Sequence, residues 1–251
     1  MAKLTEAQAI ELFHLAFLGV LSKEVDPKCY VLKGGANLRY FFDSIRYSED
    51  VDLDVKRLED WQLTPKVDRA LRSIPLISTL RTAGVELSEF TKPKQTETTQ
   101  RWKIKLAVDG HKHPVRTKIE FSHREGDDRF IFEFVPSRVT DPYALRPPSA
   151  QHYEISAALE QKIGALTGRN QTQARDVFDL ELLLRRGGFD PPSLDDSVIE
   201  EAINRTLELS YDEFRDQVGR FLEPDFIALY ESEAAWEQIQ TYVAGKLEEF
   251  R

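Results

Sequence analysis

The sequence predicts an α+β fold: a unit mixing strands and helices over residues 1–145, followed by an all-helical domain over 146–251. Three observations carry this expectation. Hydrophobic residues in the first half recur at two periods, 3.6 residues in some stretches and two in others. The second half keeps only the helical period. Between them, the run 141–148 (DPYALRPP) has the proline density of a linker. A chain of 251 residues suits one large domain or two small ones at roughly 150 residues per domain.

Taken in order, residues 5–21 carry apolar side chains at 9, 12, 13, 16, 17 and 20 behind a helix-capping Thr5, which predicts a helix. A short apolar run, 30–32, leads into Gly34-Gly35, and 36–42 reads as helix. Strict alternation over 51–56 predicts a strand. One helix is expected over 65–83. Strands are expected over 85–90, 102–108, 115–122 and 130–135, the second and third joined by an Asp109-Gly110 hairpin. The polar run 91–100 (TKPKQTETTQ) reads as a loop. Helices are expected over 155–167, 173–185, 195–209, 211–222 and 225–250, the last with an apolar stripe that docks it on the helical domain.

Composition is that of a soluble globular protein: 41% apolar, 31% charged, formal net charge −9. No apolar stretch reaches the roughly 20 residues a bilayer span needs, and the N-terminus has no signal-peptide pattern. A single cysteine, Cys29, leaves no intramolecular disulfide and suits a reducing compartment, so the expected location is cytoplasmic. The acidic balance argues against a generic nucleic-acid coat and leaves room for a local basic patch.

The chemically dense stretch runs from Lys33-Gly34-Gly35 to Ser48-Glu49-Asp50-Val51-Asp52-Leu53-Asp54. On a strand, Asp50, Asp52 and Asp54 share one face. Two readings stay open at this point: a solvated acidic face, or oxygen ligands for a hard divalent cation such as Mg²⁺. Gly34-Gly35 ahead of a helix adds backbone N–H groups able to approach a phosphate. Lys118-Ile119-Glu120-Phe121 places Lys118 and Glu120 together on one face of a second strand, either as a surface pair or as a third carboxylate beside a cation.

Lys33-Gly34-Gly35-x-x-Leu38 followed by Arg46-x-Ser48-x-Asp50-x-Asp52-Leu53 resembles the AbiEii/AbiGii nucleotidyltransferase toxins. These include the MenT-like enzymes of type IV toxin–antitoxin systems and fall within the polymerase-β-type superfamily. Lys162-x-x-Ala165-Leu166, Arg169 and Arg175-Asp176-x-x-Asp179-Leu180 match that family's later motifs in order. The resemblance implies a minimal nucleotidyltransferase fold, a mixed sheet with flanking helices, followed by an all-helical domain. It implies transfer of NMP from an NTP to an RNA acceptor, the tRNA 3′ end above all, with pyrophosphate released. Two Mg²⁺ ions would be held by Asp50, Asp52 and Glu120, Glu120 also serving as base. Lys118 would contact phosphates at the reacting centre. Lys33, Gly34, Gly35, Ser48, Lys162, Arg175 and Asp176 would bind the NTP. A cognate antitoxin is the implied protein partner, and the chain is expected to be a monomer without membrane association.

Rival readings keep the fold but direct transfer to a protein or small-molecule hydroxyl, or reduce the chain to a non-catalytic NTP- or partner-binding module. His111-Lys112-His113 reads as a solvated hairpin tip, and Cys29 as a packed thiol. Arg39, Arg46, Lys56 and Arg57 are either acceptor contacts or scattered surface charges.

Overall fold

The computed structural model describes residues 3–123 and 128–251. They divide into two compact units, Met1–Phe41 with Tyr47–Tyr153 and Phe42–Arg46 with Glu154–Arg251.

The first unit opens with α1 (Glu6–Glu24), whose Thr5 hydroxyl accepts from the Gln8 N–H while the Gln8 side chain accepts from the Thr5 N–H. The chain then forms β1 (Tyr30–Lys33), α2 (Gly34–Phe41), β2 (Asp50–Val55), α3 (Asp60–Leu71) and α4 (Ile74–Thr82). It continues with β3 (Val85–Thr96), β4 (Thr99–Val108), β5 (Val115–Ser122), β6 (Phe130–Phe134), the single turn α5 (Ser137–Thr140) and β7 (Ser149–Tyr153). The described strands form one sheet in the order β3-β4-β5-β2-β1-β7-β6. The pairs β2–β5 and β1–β7 are parallel and the others antiparallel, so the sheet is mixed as expected.

The core lies where α1 packs on β4, β5 and β7. Phe13, Phe17, Trp102, Ile119 and Phe121 are all fully buried there. Burial at this scale is the dominant stabilising term, worth roughly 1.5–3 kcal/mol for each large apolar side chain. Two polar groups cross this core. Glu11 on α1 accepts from Arg39 Nε at 2.6 Å and from Tyr143 Oη at 2.7 Å. Thr117 on β5 donates its hydroxyl proton to the Glu49 carbonyl at 2.7 Å, so the His14 ring, 2.7 Å from that oxygen, must donate through Nε2. The chain α1–β5–Glu49 thereby holds the backbone immediately before Asp50.

Three expectations are corrected here. The stretch 65–83 is two helices, because Ser73 accepts from the Leu76 N–H and Pro75 stands in the first turn, restarting the helix after Arg72. The polar run 91–100 continues β3 and β4 as a hairpin interrupted by register shifts between Leu87/Glu89 and Thr91/Lys94. Residues 91–96 are mostly exposed and the buried Thr99 and Gln100 are polar, so no apolar alternation marked it. The proline-rich run leads into β7, whose residues pair with β1 and β6, so 149–153 belongs to the sheet and the 145/146 boundary falls ahead of it.

The second unit contains α6 (Ile155–Gly168), α7 (Ala174–Arg186), α8 (Asp196–Glu208), α9 (Tyr211–Gln217), α10 (Ile227–Tyr230) and α11 (Glu233–Glu248). The stretch 225–250 is not continuous, since Ser232 caps α11 by accepting from the Ala235 N–H. Phe214 stacks on Trp236 with ring centroids 4.7 Å apart, and Trp236 Nε1 donates to the Leu209 carbonyl at 3.0 Å. Val243 and Leu247 of α11 are fully buried against α7 and α8. No described helix is long and apolar enough to cross a membrane.

Candidate active site

β1 passes into α2 without an intervening loop, and Gly34 makes the turn at φ +66°, a left-handed conformation that costs other residues. The turn brings its backbone against β2: a Cβ at position 34 would lie 3.2 Å from Asp52 Oδ2. Gly35 and the start of α2 follow at once, where helix N–H groups lack intrahelical acceptors. Ser48, ahead of β2, donates to the Asp50 carbonyl at 2.8 Å and shapes the bend into the strand.

Register lines up the rest. The parallel β2–β5 pair sets Asp50 beside Lys118, Asp52 beside Glu120 and Asp54 beside Ser122. On the other flank Lys33 stands opposite Asp52. Thus Lys33, Asp50, Asp52, Lys118 and Glu120 occupy one face of three adjacent strands, as the alternation anticipated.

Their partners differ. Lys118 Nζ lies 2.9 Å from Asp50 Oδ2. Burial would lower the Lys118 pKa, but Asp50, Asp52 and Glu120 outweigh it and hold the ammonium above its usual range. Arg101 of β4 grips Glu120 at 2.6 Å. Lys33 pairs with Asp54, which also accepts from Tyr153 Oη at 2.8 Å, so Asp54 is a buried structural carboxylate. Asp52 alone in this set has a side chain that makes no hydrogen bond or ion pair with a described residue. Burial pushes its carboxyl above the usual range; Lys118 opposes this, and Asp50 and Glu120 add to it. Among the described residues no three histidine, cysteine, aspartate or glutamate side chains enclose a metal position as they stand, because Asp50 and Glu120 are turned to cations.

Within the helical unit, Lys162 of α6 and Asp176 of α7 do meet, at 3.0 Å. They belong to a larger buried network that sequence reasoning did not assemble. Lys162 Nζ also lies 2.6 Å from Asp179 Oδ2, Arg46 Nη2 donates to both Asp179 oxygens at 3.0 and 2.9 Å, and Arg169 Nε lies 3.0 Å from Asp176. Burial would raise the Asp179 pKa, yet Arg46 and Lys162 hold it below the carboxylate range. Lys162 is the mirror case: burial lowers it, and Asp179 and Asp176 carry it above the usual value. The signal was present in Asp176-x-x-Asp179, a spacing that puts both carboxylates on one helix face. Arg46 is 3% exposed, which removes it from the candidate acceptor contacts. Arg39, bound to Glu11 and lying over the Tyr47 ring, is likewise committed to the fold. Arg175 is half-buried on α7.

The model of the nucleotidyl transferase AbiEii toxin family, type IV toxin–antitoxin system, matches residues 16–249. No curated protein matches the chain. Two solved structures from Helicobacter pylori share the fold, each with a TM-score of 0.58 and 20% identity over 99% of this chain. One is JHP933, 96% of which is covered; the other, 99% covered, is a protein assigned provisionally as a nucleotidyltransferase. The family match spans both units and both clusters of charged residues, and the chain belongs to the AbiEii family of nucleotidyltransferase toxins.

Proposed function

We propose that this nucleotidyltransferase transfers NMP from an NTP to an RNA hydroxyl, the 3′ end of tRNA, and does so with Mg²⁺. The observation that carries the reading is the pairing of Gly34 with Asp52: a side-chain-free turn at a helix start packed against a carboxylate whose side chain makes no ion pair or hydrogen bond with a described residue. A triphosphate lying on that turn would meet backbone N–H groups and the carboxylate together.

The donor set fits a hard divalent cation. Asp50, Asp52 and Glu120 offer oxygens on one sheet face, and an unpaired, partly desolvated carboxylate gains most from such an ion. These three residues would hold two Mg²⁺ ions, which supply charge neutralisation on the phosphates. The remaining work falls to the chain. Gly34, Gly35 and Ser48 seat the triphosphate. Lys33 secures the sheet beside them through Asp54. Lys118, kept cationic by its carboxylate neighbours, stabilises charge at the reacting phosphate. The acceptor oxygen bonds to the α-phosphorus, the bond from that phosphorus to the bridging oxygen breaks, and pyrophosphate leaves. Glu120 takes the hydroxyl proton. In the helical unit, Lys162, Arg175 and Asp176 are the proposed nucleotide-binding residues, by their match to the family's later motifs. Membership of a type IV system implies a cognate antitoxin.

The test is label transfer from each α-³²P NTP to total tRNA with Mg²⁺, run beside Asp52→Ala. Labelled tRNA from the wild type alone supports the reading and names the nucleotide. Label in protein or a small molecule moves the acceptor, and NTP binding without any transfer leaves a binding module.

A further inference from the structure

β2 has two flanks. On one, β1 delivers Gly34 to Asp52. On the other, β5, β4 and β3 extend the same sheet face away from the glycine turn. Over that extension lies a groove of about 440 Å³, lined by Asp50, Thr91, Lys103, Lys105, Arg116 and Lys118 among others. Its floor is basic in a chain whose net charge is −9.

The antiparallel β4–β5 register sets Lys103 directly opposite Lys118, and Lys105 directly opposite Arg116. Like charges facing each other across a strand pair destabilise a sheet. Lys118 is neutralised by Asp50 and Lys105 by Glu89. Lys103 and Arg116 are both exposed, and neither side chain makes an ion pair or hydrogen bond with a described residue. Two uncompensated cations thus border a groove that begins at the Asp50–Lys118 rung. Two strand spacings, about 10 Å, separate β2 from β4.

We infer that this groove seats the sugar–phosphate backbone of the RNA acceptor next to its reactive end, with Lys103 and Arg116 as phosphate contacts. The inference rests on the transferase reading above and assigns the two flanks of β2 different cargo, nucleotide on the glycine side and acceptor on the basic side. Phosphate contacts of this kind set register and position rather than sequence preference.

The experiment measures binding of a short, fluorescently labelled single-stranded RNA by anisotropy over a range of salt. It compares the wild type, Lys103→Glu/Arg116→Glu, and Lys23→Glu/Lys28→Glu, which carries the same charge change elsewhere. The groove variant should bind roughly tenfold or more weakly, with a log–log salt slope reduced by about 1.4, two single-strand phosphate contacts at 0.7 each. The control pair should bind like the wild type, and Lys103→Arg/Arg116→Lys should restore binding. Both side chains point to solvent, so folding is preserved; circular dichroism verifies it, and Lys103→Gln/Arg116→Gln gives the same readout with a smaller effect. A wild type that does not bind RNA, or a groove variant that binds with unchanged affinity and slope, overturns the inference. RNA binding through the groove without label transfer leaves it standing and sinks the transferase reading. Label transfer with groove-independent binding does the reverse.

Discussion

Gly34 and Asp52 are neighbours in space because β1 and β2 are antiparallel: the turn at Gly34 closes over the strand exactly one rung beyond Lys33–Asp52, leaving 3.2 Å between a Cβ at 34 and Asp52 Oδ2. A methyl group at position 34 would therefore carry two penalties. The left-handed φ of +66° costs an L-residue roughly 1–2 kcal/mol, and the new carbon crowds the carboxylate. Gly34→Ala should lower stability by that order and abolish label transfer at saturating NTP. Denaturant unfolding beside the transfer assay checks both, and wild-type transfer by the variant would remove the turn from the site.

Asp52 is a group whose folded pKa lies above its unfolded value of 3.8. Between those values the native state holds the proton more tightly than the unfolded chain, so stability falls as pH rises through the window and stays lowered above it. Asp52→Asn should therefore be more stable than the wild type at neutral pH. The difference should shrink as pH drops toward the carboxylate range, and transfer should be lost throughout. Melting curves across pH decide it; a variant less stable at pH 7 contradicts the account.

His14 behaves differently. Burial lowers its pKa from 6.5 to about 3, and its Nε2–H is committed to Thr117. Here the unfolded chain binds the proton first, so stability is fully present above about pH 6.5 and declines on acidification at up to about 1.4 kcal/mol per pH unit. His14→Gln should flatten that acid limb while costing stability at pH 7 through lost packing. Urea midpoints at pH 7 and pH 5 for both proteins measure the difference.

The helical unit depends on the Arg46–Asp179–Lys162–Asp176 network. Removing one partner from a buried pair strands the other, at about 3–5 kcal/mol. Arg46→Ala and Asp179→Ala should each destabilise to that extent, and the double variant should cost clearly less than the sum. Because the Asp179 pKa is held below its unfolded value of 3.8, the wild-type advantage over Asp179→Ala is present above that value and disappears as pH falls through the depressed one. A double-mutant cycle showing additive losses would falsify the coupling.

Much of the site was legible because its information is local. Alternation over Val51–Asp54 puts the aspartates on one face whatever the rest of the chain does, and Gly34-Gly35 before an apolar helix announces a tight turn. The missed elements lack such a signal. The outer part of the β3–β4 hairpin has no buried apolar face to impose a period, since its buried residues Thr99 and Gln100 are polar, and β7 (SAQHY) follows prolines that read as a linker. Ser73 ahead of Pro75 was a readable helix restart hidden inside a continuous apolar pattern.

The sequence by itself determined the type of the strongly periodic elements, the order of sheet unit and helical unit, and the shared face of Asp50 and Asp52, because side-chain periodicity is a property of backbone geometry. Only the tertiary structure decided what each charge faces. The β2–β5 register assigns Lys118 to Asp50, the β4–β5 register assigns Arg101 to Glu120, and the β1–β2 register sets Asp52 opposite Lys33, whose ammonium pairs with Asp54 instead. Ionic interactions depend on distance and burial, and strand pairings between residues tens of positions apart set both.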